Sequence, residues 1–105
     1  MIFRAAPEAA PAMASAGIDI VSTANNHARD AQGYGIEYTL SALKRAGIAA
    51  TGTAASPEEL AKGVTLERNG IRFGFLGYTY DQANGNFPDQ DPRVANLDVA
   101  RMKQE

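Results

Sequence analysis

Ten consecutive residues, Val21-Ser22-Thr23-Ala24-Asn25-Asn26-His27-Ala28-Arg29-Asp30, carry most of this chain's capacity for chemistry. They include two Asn, the chain's only His and an Asp. Amide oxygen, imidazole and carboxylate are groups that hard or borderline metal ions and phosphoryl oxygens accept. The apolar run before them, residues 18–21, reads as a buried strand, and the carboxyl ends of strands in open α/β sheets are where ligands are held. The plainer reading of Asn25-Asn26-His27 is turn punctuation, since Asn tolerates positive φ and His is at home in a turn. Asp30 has two readings of the same kind, as a site residue or as the cap of the next helix.

Positioning these residues takes a regular order of elements. Pro7 in a first turn and Gly17 as a stop frame a short helix over residues 7–17. The strand over 18–21 follows. Ile36, Leu40 and Leu43 fall at helical spacing within residues 34–46, Lys44 and Arg45 sit in the last turn, and Gly47 ends that helix. Residues 48–50 form a second strand leading into Thr51-Gly52-Thr53. Ser56-Pro57-Glu58-Glu59 is a capping box that opens a third helix. Residues 63–68 and 71–78 alternate in polarity around Asn69-Gly70, a strong type I′ hairpin signal. Residues 79–96 are rich in Gly, Asn, Asp and Pro and read as a long loop, and a terminal helix starts near Asn96. This is α/β order. It predicts that Asn25, Asn26 and His27 share one sheet edge with Thr51, Gly52 and Thr53. Tyr78-Thr79-Tyr80-Asp81 has two readings, as lining of the same cleft or as a strand edge running into a loop.

Composition narrows the function classes. A length of 105 residues suits one small domain or a piece of a larger one, and an apolar fraction of 45% is that of a globular protein. A net charge of −2 with no block of like charges gives no reason to expect nucleic acid. The absence of Cys rules out a disulfide framework and thiolate chemistry. No apolar run approaches the roughly 18 residues needed to span a bilayer, and residues 1–20 lack the pattern of a signal peptide. Neither end carries a helix start or stop signal, so residues 1–105 are expected to be a single partial domain truncated at both ends.

Ala24-Asn25-Asn26-His27, Asp30, Gly35, Thr39-Leu40, Leu43, Ala46-Gly47-Ile48 and Gly52 resemble the central part of the CapA-type capsule and poly-γ-glutamate biosynthesis domain. So does the run Asn69-Gly70-Ile71-Arg72-Phe73-Gly74-Phe75-Leu76-Gly77-Tyr78-Thr79. The resemblance covers about residues 7–103. It implies a fragment of the four-layered α/β sandwich of the calcineurin-like metallophosphoesterases, with divalent metal ions (Mn, Zn or Fe) held at strand ends. Asn26-His27 corresponds to the Asn-His of that superfamily's Gly-Asn-His motif. By resemblance Asn26 binds metal through its side-chain oxygen, and the catalytic residue His27 contacts the phosphoryl group or protonates the leaving oxygen. Asn25 stands where the motif has Gly, as suits positive φ. Asn25, Asp30, Thr51, Gly52 and Tyr78 are expected to line the site. After Asp30 this chain has Ala31-Gln32, where the capsule family usually has an aromatic residue and Gly.

A binuclear centre needs several His, Asp or Asn ligands, and the chain has one His. The metal centre is therefore expected to be incomplete here. The resemblance implies a hydrolase in the complete protein, located at the bacterial cell envelope. Its partners would be an anionic polymer or phosphoester and membrane-associated capsule synthesis proteins, with no nucleic acid. The alternative is a non-catalytic polymer-binding or assembly component of a capsule export machine. A third reading is an unrelated α/β small-molecule binder that uses the same two turns.

Overall fold

Glycine stops fix the first half of the chain. The computed structural model describes residues 3–80 and 91–104. Helix α1 (Ala9–Ser15) ends at Gly17, with φ +91°. The Gly17 amide donates to the Ala14 carbonyl at 3.0 Å and the Ile18 amide to the Met13 carbonyl at 3.1 Å. Helix α2 (Gln32–Arg45) ends in the same way at Gly47, φ +77°, with Ile48 donating to the Leu43 carbonyl at 2.9 Å. Both are Schellman stops, which need a residue in the left-handed region just past the helix. The first stop also corrects the expected strand over residues 18–21. Ile18 belongs to the helix exit and is 39% exposed, so strand β1 is Ile20–Ser22 and only half-buried.

β1 pairs in parallel with β2 (Ala49–Thr51), with Ile20 opposite Ala49 and Ser22 opposite Thr51. Helix α2 is the crossover that a parallel pair requires. The core lies where α1 and α2 meet the strands. Ala10, Leu43 and Ile48 are buried there, and Met13, Ala14, Val21, Ala42, Ala46 and Ala50 pack around them. The many Ala side chains let the helices approach closely and add little rotamer entropy to the cost of folding.

The second half is built by local rules. Helix α3 (Pro57–Lys62) starts as its capping residues dictate, with the Glu59 amide donating to Ser56 Oγ at 3.2 Å. Strands β3 (Val64–Arg68) and β4 (Ile71–Phe75) pair antiparallel around Asn69 and Gly70, whose φ values of +52° and +78° fit a type I′ turn. Helix α4 (Val99–Gln104) comes last.

The expected four-layered metallophosphoesterase sandwich does not form. The described residues make a small α/β fold with two separate two-stranded sheets. A sandwich needs two broad sheets face to face. Here the parallel strands are three residues long, and the hairpin satisfies its ladder internally. Only isolated bridges, Thr53 with Val94 and Thr79 with Asn96, extend the pairing. They lie in what reads as a plain loop over residues 79–96. Residues 81–90 of that stretch, with Asp81, lie outside the described residues, as do the chain-end residues Met1, Ile2 and Glu105.

Candidate functional site at the edge of the parallel strands

The parallel pairing sends the chain after β1 and the chain after β2 out of the same sheet edge. Thr23 binds the two exits together. Its amide donates to the Thr51 carbonyl at 2.8 Å, and its hydroxyl donates to the same carbonyl at 3.1 Å. With that one proton committed, the 2.7 Å contact between Thr23 Oγ1 and Thr53 Oγ1 has Thr53 as donor. Thr51 Oγ1 donates to the Phe75 carbonyl at 3.2 Å, the link to the hairpin. Gly52 has φ +99°, and a Cβ there would come within 2.4 Å of the Ala24 Cβ. Thr51 and Gly52 are buried, and they hold the two exits in register.

The turn after β1 is bonded mainly to itself. Asn25 Oδ1 accepts the His27 amide at 2.8 Å, the Asn form of a side-chain turn. Asn25 is not among the residues with positive φ; Gln32, at +57°, is the non-Gly residue near this turn that takes that conformation. His27 Nδ1 lies 2.9 Å from Asp30 Oδ2, with the carboxylate side chain only 3% exposed and the imidazole 27%. An ionised carboxylate only accepts, so this contact places a proton on Nδ1. The same Asp30 oxygen accepts the Phe3 amide at 2.7 Å, and the Phe3 ring meets the imidazole edge-on at 4.4 Å. Asp30 therefore does not cap α2. The cap position is Ala31, which makes no side-chain cap bond. Asn26 is exposed.

Of the residues predicted to converge, Asn25 and Asn26 share a crevice with Arg29, Thr79, Tyr80 and Val94. Its volume is about 10 Å³, close to that of a single water probe. Tyr78 is half-buried beside it, and its neighbours Thr79 and Tyr80 provide the wall.

The segment over residues 91–97 covers this edge, and sequence reasoning missed it. The Ala95 amide donates to the Gly52 carbonyl at 2.8 Å, the Thr79 amide to the Ala95 carbonyl at 2.9 Å and the Leu97 amide to the Thr79 carbonyl at 2.8 Å. Val94 and Ala95 are 2% and 4% exposed. An ion cluster pins the segment to α2. Arg93 gives Nε and one terminal nitrogen to the two Asp91 oxygens at 2.9 and 2.6 Å, and its other terminal nitrogen to Glu37 at 2.8 Å. The Arg93 side-chain bond is the main reason the Asp91 carboxyl is held below its ordinary range, with burial opposing it. The same bond raises Arg93, again against burial. Gly33 makes room for the guanidinium, since a Cβ there would sit 2.3 Å from it. No sequence signal links Glu37 to Arg93, 56 residues apart.

Asn26, the residue expected to hold a metal, is exposed at this turn. Among the described residues no three His, Cys, Asp or Glu side chains converge on a possible ion. Asn25 Oδ1, His27 Nδ1 and Asp30 Oδ2 already bond to one another or to nearby backbone.

The family model for the bacterial capsule synthesis protein PGA_cap matches residues 1–105, the whole length of the chain. The chain belongs to that family. No curated protein and no solved structure matches it. Membership in PGA_cap bears out the resemblance to capsule biosynthesis proteins seen over about residues 7–103. Among the described residues, no helix is long and apolar enough to cross a membrane.

Proposed function

We propose that this PGA_cap chain acts in capsule synthesis as a polymer-binding or assembly element at the bacterial envelope, working with membrane-associated capsule synthesis proteins. One observation carries the reading: the side chains of Asn25, His27 and Asp30 at the β1 edge are spent on holding the turn. Asn25 accepts the His27 amide, and Asp30 accepts both His27 and the Phe3 amide. The crevice beside them, about 10 Å³, is far smaller than the few hundred Å³ typical of a small-molecule site.

Two assays on the same preparation test this. Purified protein should co-sediment with capsule polymer from a producing strain, and should show no phosphodiesterase turnover on bis-p-nitrophenyl phosphate with Mn²⁺ or Zn²⁺. Turnover abolished by His27→Ala, without polymer binding, would replace this reading with a hydrolase.

The 2.9 Å bond from His27 to Asp30 favours a second reading. A carboxylate on Nδ1 fixes the tautomer, so proton exchange with a ligand would run through Nε2. In that reading His27 is a general acid or base and Asp30 its positioning residue. His27→Ala would then lower turnover by about 10²-fold or more.

A further inference from the structure

A second aromatic surface lies outside the strand-edge turn. Between α1 and α2 runs an open groove of about 700 Å³, within the range of ligand sites. Its floor is apolar, with Met13 and Leu43, and three aromatic side chains stand along it: Phe3, Tyr34 and Tyr38. Tyr34 and Tyr38 are one turn apart on α2 and therefore neighbours on its surface. Their ring centroids are 6.3 Å apart with planes inclined by 28°, and they are 74% and 43% exposed. At the far end Phe3, 58% exposed, reaches the His27–Asp30 pair. Leaving three aromatic rings open to water forgoes a large hydrophobic gain.

Charge decides what these rings would hold. Among the described residues, Arg4 and Asp30 are the only charged ones lining the groove, and Asp30 is already bonded to His27 and the Phe3 amide. A polyanion binds through several cations along its track, and among the described residues this groove has one. The other large groove, beside β2, mixes Lys44 and Lys62 with Glu37 and Glu59 and has no aromatic lining. An aromatic floor with little net charge instead suits a neutral polyhydroxylated chain. The apolar C–H faces of pyranose rings lie on aromatic faces, while hydroxyls reach groups such as Thr39 and Gln32, which also line the groove.

We infer that the α1–α2 groove binds a neutral saccharide chain, with Tyr34 and Tyr38 as its stacking platform. This rests on the polymer-binding reading above and names the site and the polymer chemistry. Cellohexaose, maltohexaose and chitohexaose, each titrated into ¹⁵N-labelled full chain, provide the test. At least one should give saturable amide shifts confined to α1, α2 and residues near Phe3, and the affinity should be insensitive to salt. Tyr34→Ala and Tyr38→Ala should each weaken that binding about 5-fold. Both residues are exposed, so circular dichroism should show that the variants stay folded.

The inference is overturned if none of the three sugars binds, or if the Tyr variants bind them as wild type does. It is also overturned if decaproline or poly-γ-glutamate, and no sugar, shifts these residues. Capsule polymer that still co-sediments with the double Tyr variant while the sugars stay silent would reject this groove and leave the polymer-binding reading standing. Capsule polymer that fails to co-sediment with wild-type protein rejects the broader reading itself.

Discussion

The edge of the β1–β2 pair and the β3–β4 hairpin are both small two-stranded units, yet they are stabilised in opposite ways. The parallel pair has three residues per strand and is held from outside, by Thr23, by the bonds of Gly52 and Ala54 to residues 93 and 95, and by the core around Leu43. The hairpin has five residues per strand and is held by its own ladder and turn. Its cross-strand partners place Val64, Leu66, Ile71, Phe73 and Phe75 on one face, but Ile71 and Phe73 remain 58% and 45% exposed. An isolated two-stranded unit is marginal in water without a covered face. Tertiary ties therefore concentrate where the chemistry-bearing residues are, and local rules suffice where such residues are few.

The largest expected effect separates the two regions directly. Leu43→Ala removes a side chain that is 4% exposed at the centre of the core. It should cost about 2–5 kcal/mol in a denaturant titration. Phe73→Ala deletes a bigger side chain from the hairpin but should cost only about 1 kcal/mol, because much of its surface is already in water. Equal losses would erase the distinction drawn here.

A smaller effect tests how tightly the strand edge is closed. Gly52→Ala places a Cβ against Ala24 at a positive φ, and backbone must move to accept it. The cost should be about 2–3 kcal/mol. Hydrogen exchange should accelerate first at the Ala95 and Thr79 amides, while β3–β4 stays protected.

The smallest effect depends on pH. Asp91 is depressed in the folded state, chiefly by its bond from Arg93. A depressed carboxyl adds stability that is complete above its unfolded pKa, about 3.9, and is lost as pH falls through the lower folded value. Stability should therefore fall below about pH 4, and Arg93→Met should flatten that part of the profile. At pH 7 the variant should lose about 1–2 kcal/mol, toward the lower end of what breaking an ion pair costs, because both side chains keep some exposure to water. An unchanged acid limb in the variant would show that the Arg93–Asp91 pair does not hold the 91–97 segment.

Much of this fold was legible where local rules decide it. Gly17, Gly47, Ser56 and the Asn69-Gly70 pair each act through a few neighbouring residues, so helix ends, cap and hairpin follow from type and spacing. The shared edge of the Asn25 and Thr51 turns followed from α/β order alone. The sandwich that the resemblance implied does not form, because strand number and sheet closure depend on long-range pairing that residue order does not show. Type and spacing suggested a positive φ at Asn25 and left Asp30 open between a site residue and a helix cap; bonds to His27 and to Phe3, 27 residues from Asp30, decide against the positive φ and the cap. The Arg93–Glu37 contact is of the same kind.

The central claim is that Asn25, His27 and Asp30 at the β1 edge are committed to holding one another. Nitrogen NMR of the His27 imidazole during addition of Zn²⁺ tests it most directly. The account predicts that the proton stays on Nδ1, bonded to Asp30, and that the ring signals do not move through one equivalent of metal. A stoichiometric shift of the His27 nitrogens, with matching shifts at the Asn26 side-chain amide, would contradict it.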